Sequence, residues 1–228
     1  PGESKTLEIV FRWKNDKDNI GVKTNIAEIS EDYNDKGAKD IDSTPDDVEI
    51  KDYDKQQQDD DDYEPVQLKY FDLALRKFIT GVNDEVVDTR IPKFYIDEDG
   101  NYRYRHDKTP VEVVDRDEVT YTIRVFNEGT IEGFAEEIED DIPEGLIFLP
   151  ENETNIEHRW KMYYYNEEGV LVETENEEEA EVIRTDFLSE ANGTIDETTG
   201  KNSNLLEVFD KETMESPDYR DIKVVFKV

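Results

Sequence analysis

The stretch Phe71-Asp72-Leu73-Ala74-Leu75-Arg76-Lys77-Phe78-Ile79-Thr80 alternates apolar and polar residues. Read as a strand, its period of two places Phe71, Leu73, Leu75, Lys77 and Ile79 on one face. That arrangement predicts a lysine turned toward an apolar core. An unpaired ammonium there is strongly unfavourable, so the group has to be paired, neutralised or chemically consumed.

The same alternation recurs, with turn signals between runs, over Leu7–Trp13, Val22–Ile29, Val66–Ile79, Val119–Phe126, Ile138–Ile142, Leu146–Leu149, Met162–Tyr165, Val170–Val172 and Ile222–Val228. This predicts an all-β protein built as a sandwich. Helical periodicity is scarce. Glu177–Arg184 and Asn204–Met214 are the best candidates, and both would be short accessory helices.

Composition narrows the partners. The chain has 228 residues, with 61 acidic against 27 basic ones, for a net charge of −34. Such a charge repels phosphate backbones and anionic lipid, so neither nucleic acid nor membrane insertion is expected. No apolar run is long enough to span a bilayer. Cysteine is absent, which excludes disulfides, thiolate-metal sites and cysteine nucleophiles, and two histidines are too few for a multi-histidine zinc site. Oxygen donors abound, so calcium is the first ion to consider. The chain opens at Pro1 with no signal peptide, which reads as a processed product or a fragment.

Residues 31–64 carry 15 Asp or Glu against 4 Lys, a local charge of −11. They read as an acidic junction. The ends of the chain resemble each other: Leu7-Glu8-Ile9-Val10-Phe11-Arg12-Trp13 matches Ile222-Lys223-Val224-Val225-Phe226-Lys227-Val228 position for position, at an offset of 215. If the match is a true repeat, the chain is about one period of a tandem array cut inside a domain. Residues 1–30 are then the tail strands of a preceding repeat, or a strand-donating segment. Residues 31–65 form the junction, and 66–228 a sandwich lacking its last strand.

Two further polar residues are predicted to face inward. Alternation groups Asn25 with Ala27 and Ile29, and Asp140 with Ile138 and Ile142. A lysine, an asparagine and a carboxylic acid in an apolar setting are what spontaneous amide formation needs. Desolvation favours a neutral, nucleophilic amine and a protonated acid that polarises the amide carbonyl. Ammonia leaves, and a Lys–Asn isopeptide bond remains.

Phe71–Thr80, Asp117–Asn127, Ile138–Leu146 and the junction elements Asp40–Pro45 and Asp60–Tyr63 resemble, in that order, a known group. It is the tandem conserved-repeat, isopeptide-forming fimbrial and adhesin stalk domain family of Gram-positive bacteria. The resemblance covers most of 1–30 and 40–149 and also 204–228. It implies an immunoglobulin-like β-sandwich, an extracellular location at the cell surface or wall, neighbouring copies or repeats as partners, and no substrate turnover. It also implies Lys77 as amine donor, Asp140 as catalytic acid and Asn25 as a last-strand acceptor. Here, however, the asparagine precedes the lysine. Asn25 could serve the previous repeat, fold back onto Lys77 of its own chain, or complete a neighbouring copy by strand addition.

Two other constellations remain. Asp32, Asn34, Asp40, Asp42 and Asp46, with Asp60, Asp61 and Asp62 closing the shell, offer closely spaced oxygen ligands and a permissive Gly37, as calcium requires. Their spacing does not fit the twelve-residue EF-hand loop. Trp160, Tyr163 and Tyr165 could contact a host glycan or protein, the alternative reading as an adhesin module, although alternating aromatics in a β protein usually pack.

Overall fold

The computed structural model of the protein describes residues 3–14, 20–46, 48, 59–83 and 85–228. The chain divides into two compact units, Pro1–Tyr70 and Phe71–Val228. The run expected as one strand over Val66–Ile79 is interrupted at this division.

In the first unit, β1 (Gly21–Glu28) pairs antiparallel with β2 (Asp61–Leu68), in register from Gly21 opposite Leu68 to Glu28 opposite Asp61. Ile29 N–H extends the ladder to Asp60 O at 2.9 Å. Val22, Ile29 and Val66 stay exposed on this two-stranded sheet. Two strands alone bury little, and such a sheet is marginal without a third strand or a cover. Leu7–Trp13 forms no strand, and Leu7, Ile9, Val10 and Phe11 are exposed.

The second unit is all-β and sandwich-like, with two antiparallel sheets sharing one core. One sheet has the order β4-β3-β7-β13-β9, made of β3 (Leu73–Val82), β4 (Glu85–Val86), β7 (Glu118–Asn127), β9 (Ile147–Phe148) and β13 (Tyr219–Lys227). The other has the order β11-β10-β12-β8, made of β8 (Ile138–Asp141), β10 (Lys161–Tyr165), β11 (Leu171–Thr174) and β12 (Val182–Thr185). Ile123, Val125, Ile222, Val224 and Phe226 of the first meet Ile138, Met162 and Ile183 of the second in one buried cluster. Alternation along β7 sends Val119, Ile123 and Val125 inward and Thr122, Arg124 and Phe126 outward.

Thr122 and Phe126 are buried as well and Arg124 is half-buried, and a hairpin covers this face at Phe126. Its strands are β5 (Lys93–Ile96) and β6 (Tyr102–Arg105). Tyr104 lies 4.3 Å from the Phe126 ring, and Phe94 packs on Tyr102, Tyr104 and Phe209 at 5.4 to 5.6 Å. The five-stranded sheet thus has aromatic cover on its second face.

Neither expected accessory helix is present. Residues 182–185 are strand β12, pinned between β8 and β10. In 204–214, Leu206 is fully buried and exchanges both backbone hydrogen bonds with Gly133. Helix α1 (Glu153–Glu157) arises where none was expected, with Asn152 accepting from Thr154 N–H as its cap.

The two margins of the five-stranded sheet differ. At β13, β9 pairs with Phe226 and Lys227, and next to it Asn155 of α1 replaces a strand. Its Nδ2 donates to Val225 O at 2.9 Å while its Oδ1 accepts from Val225 N–H at 2.8 Å. Farther along, the Trp160 indole donates to Lys223 O at 2.7 Å. At β3, β4 pairs only with Gly81 and Val82. Among the described residues no strand lies beside Leu73–Ile79 on that margin.

Candidate functional site at the open margin of β3

Lys77 stands opposite Ile123 of β7, on the face turned to the second sheet. Its Nζ bonds both carboxylate oxygens of Asp140, at 2.7 and 2.6 Å. The same nitrogen lies 4.8 Å from the Tyr121 ring centre and 5.8 Å from that of Phe226. Asp140 reaches it from β8, where it pairs in register with the fully buried Ile183. The pair therefore joins the two sheets. Period two along β3 and β8 brings the two groups together, as expected for Lys77 and Asp140.

Exposure is uneven across the pair, at 30% for the Lys77 side chain and 8% for Asp140. Burial pushes the Asp140 carboxyl above the ordinary carboxylate range, although the hydrogen bond and charge of Lys77 pull the other way. The charge of the neighbouring Asp141 adds to the rise, while a hydrogen bond from its backbone opposes it.

An acid with an elevated folded pKa favours folding while protonated. That contribution is complete below the ordinary carboxylate range and is lost as pH rises through the elevated value. In the uncrosslinked protein, the stability of the wild-type chain relative to Asp140→Asn should therefore fall as pH rises from about 3 to about 7. Paired urea-unfolding midpoints check this, and a difference that does not change with pH would refute it.

Beside Lys77 lies an open cleft of about 350 Å³, lined by Lys77, Ile79, Tyr121, Arg90, Lys108 and Pro110 among others. It follows the margin of β3 where no strand is paired. The site thus has a paired amine and carboxylate, an aromatic wall, and an open cleft beside them.

The buried asparagines of this unit serve the backbone. Asn127 donates to Ile131 O and Leu206 O, Asn155 to Leu149 O and Val225 O, and Asn204 to Phe187 O and Ser189 O. Asn25 differs. It lies in the first unit on β1, opposite Glu64, and is exposed, as is Ala27, which corrects the expectation that it faces inward. The physical reason is that β1 and β2 alone make no second layer to bury it.

The proposed calcium ligands do not gather. Among the described residues no group of three or more Asp, Glu or His side chains is placed to hold a metal ion. Asn34 instead closes a turn, accepting from Lys36 and Ala38 N–H and donating to Ala38 O. Asp40 and Asp62 each accept from the next backbone N–H, and Asp42 and Asp46 lie in separate turns. Asp61 is buried at the start of β2, while Asp32 is exposed.

Trp160 belongs to the core, with 8% exposure and its indole bonded across to β13, so it offers no ligand surface. Met162 and Tyr164 face inward beside it, whereas Tyr165 is exposed and Tyr163 lies under the Arg184 guanidinium at 5.5 Å. The three aromatics do not share a platform.

Residues that sequence alone did not single out complete the site: Tyr121 as the aromatic wall, and Arg90 and Lys108 on the rim of the cleft. Tyr121 could have been found, since it alternates with Val119 and Ile123 on the inward face. No protein-family model matches the chain, nor does any curated protein or solved structure.

Proposed function

We propose that the chain is a structural repeat of an extracellular bacterial surface stalk or fibre, with an immunoglobulin-like sandwich. Lys77 becomes covalently bonded to an asparagine on a strand added beside β3. The observation that carries this is the Lys77–Asp140 pair, set between two sheets next to an unpaired strand margin. Asn25, exposed on a sheet that has two strands among the described residues, is the acceptor, supplied by a neighbouring copy or repeat.

Lys77 passes a proton to Asp140, and the neutral amine attacks Asn25 Cγ while the acid hydrogen-bonds the carbonyl oxygen. The Nζ–Cγ bond forms, Cγ–Nδ2 breaks, and Nδ2 leaves as ammonia. Of the three Nζ protons, one leaves on the ammonia, one stays on Asp140 and one remains on the new amide.

Calcium plays no part in this reading, because the acidic segment supplies charge without a donor set among the described residues. The adhesin alternative loses its aromatic platform with Trp160 in the core.

Intact mass of concentrated purified protein is the test. Each bond should make the product lighter by one ammonia, with Lys77 and Asn25 found in one cross-linked peptide. Boiled gels should show ladders when the bond joins copies. An unmodified mass after prolonged incubation would overturn the proposal.

A further inference from the structure

The free margin of β3 carries a substitute for a strand. Lys108 extends its ammonium to the main-chain carbonyl of Lys77 at 2.9 Å. That carbonyl points away from β7, into the place where an added strand would present an N–H. The segment bearing Lys108 follows β6 and is held mainly by polar contacts. Arg90, with its side chain 11% exposed, donates to Asp107 O at 3.1 Å and to Thr109 O, and Asp107 closes a turn by accepting from Thr109 N–H at 2.8 Å.

The ammonium is lightly held. Among the described residues no carboxylate lies within ion-pair distance of it. Partial burial and the charges of Arg76, Arg90 and Lys77 disfavour its protonated form. A cation crowded by three others, with one carbonyl partner, leaves readily when a neutral N–H offers the same hydrogen bond. Lysine on an unpaired margin also discourages indiscriminate pairing.

We propose that Lys108 is a displaceable latch on the β3 margin. It occupies the Lys77 carbonyl until the β1 strand of another copy takes that position. The inference rests on the strand-addition reading above and adds to it a residue that sets how easily the strand enters. Lys108 is a positioning residue, since it takes no part in making the amide.

The test uses the full chain and a fluorescein-labelled peptide of residues 18–30 carrying Asn25→Ala, so that binding is read without bond formation. By fluorescence anisotropy, Lys108→Met should bind this peptide about threefold to tenfold more tightly than wild type. Lys108→Gln should fall between them, and thermal melting of each variant verifies folding. A second arm uses the peptide with Asn25 intact and follows the covalent adduct by mass. Equal or weaker binding by a folded Lys108→Met overturns the latch, and an adduct in that same experiment leaves the strand-addition reading standing. If neither chain binds the peptide and no adduct forms, the strand-addition reading falls, and the latch with it.

Discussion

Replacing Asp140 by alanine is expected to slow formation of the Lys77 amide by about a hundredfold to ten-thousandfold, the range for a positioned acid or base. Two losses combine. Without the carboxylate, Lys77 has no partner on the second sheet to take its proton, and it stays an ammonium with no lone pair to donate. Without the acid, the acceptor carbonyl is no longer polarised while charge builds on its oxygen. Removing one member of a buried pair also lowers stability, but the Lys77 side chain is 30% exposed and can turn its charge toward water. Asp140→Asn keeps the shape and separates chemistry from packing. A time course of intact mass reads the rate, and an Asp140→Asn chain that reacts as fast as wild type would remove the acid from the mechanism.

The second large effect concerns stability. Asn155→Ala should lower the unfolding free energy by about 3 kcal/mol, because it strands the buried N–H and carbonyl of Val225. Asn155 is 1% exposed and bonds Leu149 O, Val225 O and Val225 N–H at 2.8 to 2.9 Å. Alanine leaves the Val225 N–H and carbonyl without this partner, while Leu149 O keeps its bond from Asn152 N–H at 3.1 Å. Aspartate should be no better than alanine: it keeps the bond from Val225 N–H but turns a carboxylate oxygen toward two carbonyls. Urea midpoints at neutral pH measure both. A midpoint for alanine within error of wild type would show that another group takes over the margin of β13.

The sequence carried the inward pair clearly, since Lys77 and Asp140 lie in short runs whose apolar neighbours fix the face. It could not carry what their surroundings decide. Leu7–Trp13 and Ile222–Val228 share one pattern, yet only the latter lies in a strand, because β7 and β9 flank it. Strand propensity reflects a fit to neighbours more than an intrinsic bias. Glu177–Arg184 reads as a short helix by its periodicity, and pairing with β8 and β10 overrides that pattern at Val182–Arg184. The β5–β6 hairpin left a legible turn: Gly100 N–H bonds Asp97 O, and Asp97 Oδ1 accepts from Asn101 N–H. Its alternating aromatics and charges gave no hint that they cover a second face of a sheet. Asn155 was invisible for a different reason, since a side chain that imitates a strand has no periodicity.

The way the second unit begins and ends has a mechanical consequence. β3 and β13 both run antiparallel to β7, which lies between them, so they are parallel to each other. β3 begins at Leu73, opposite Asn127 at one end of β7, and β13 ends at Lys227, opposite Glu118 at the other. A force that separates the two ends draws β3 and β13 in opposite senses along β7. The cross-strand bonds are then sheared together rather than unzipped one at a time, so each small slip has to break many of them at once.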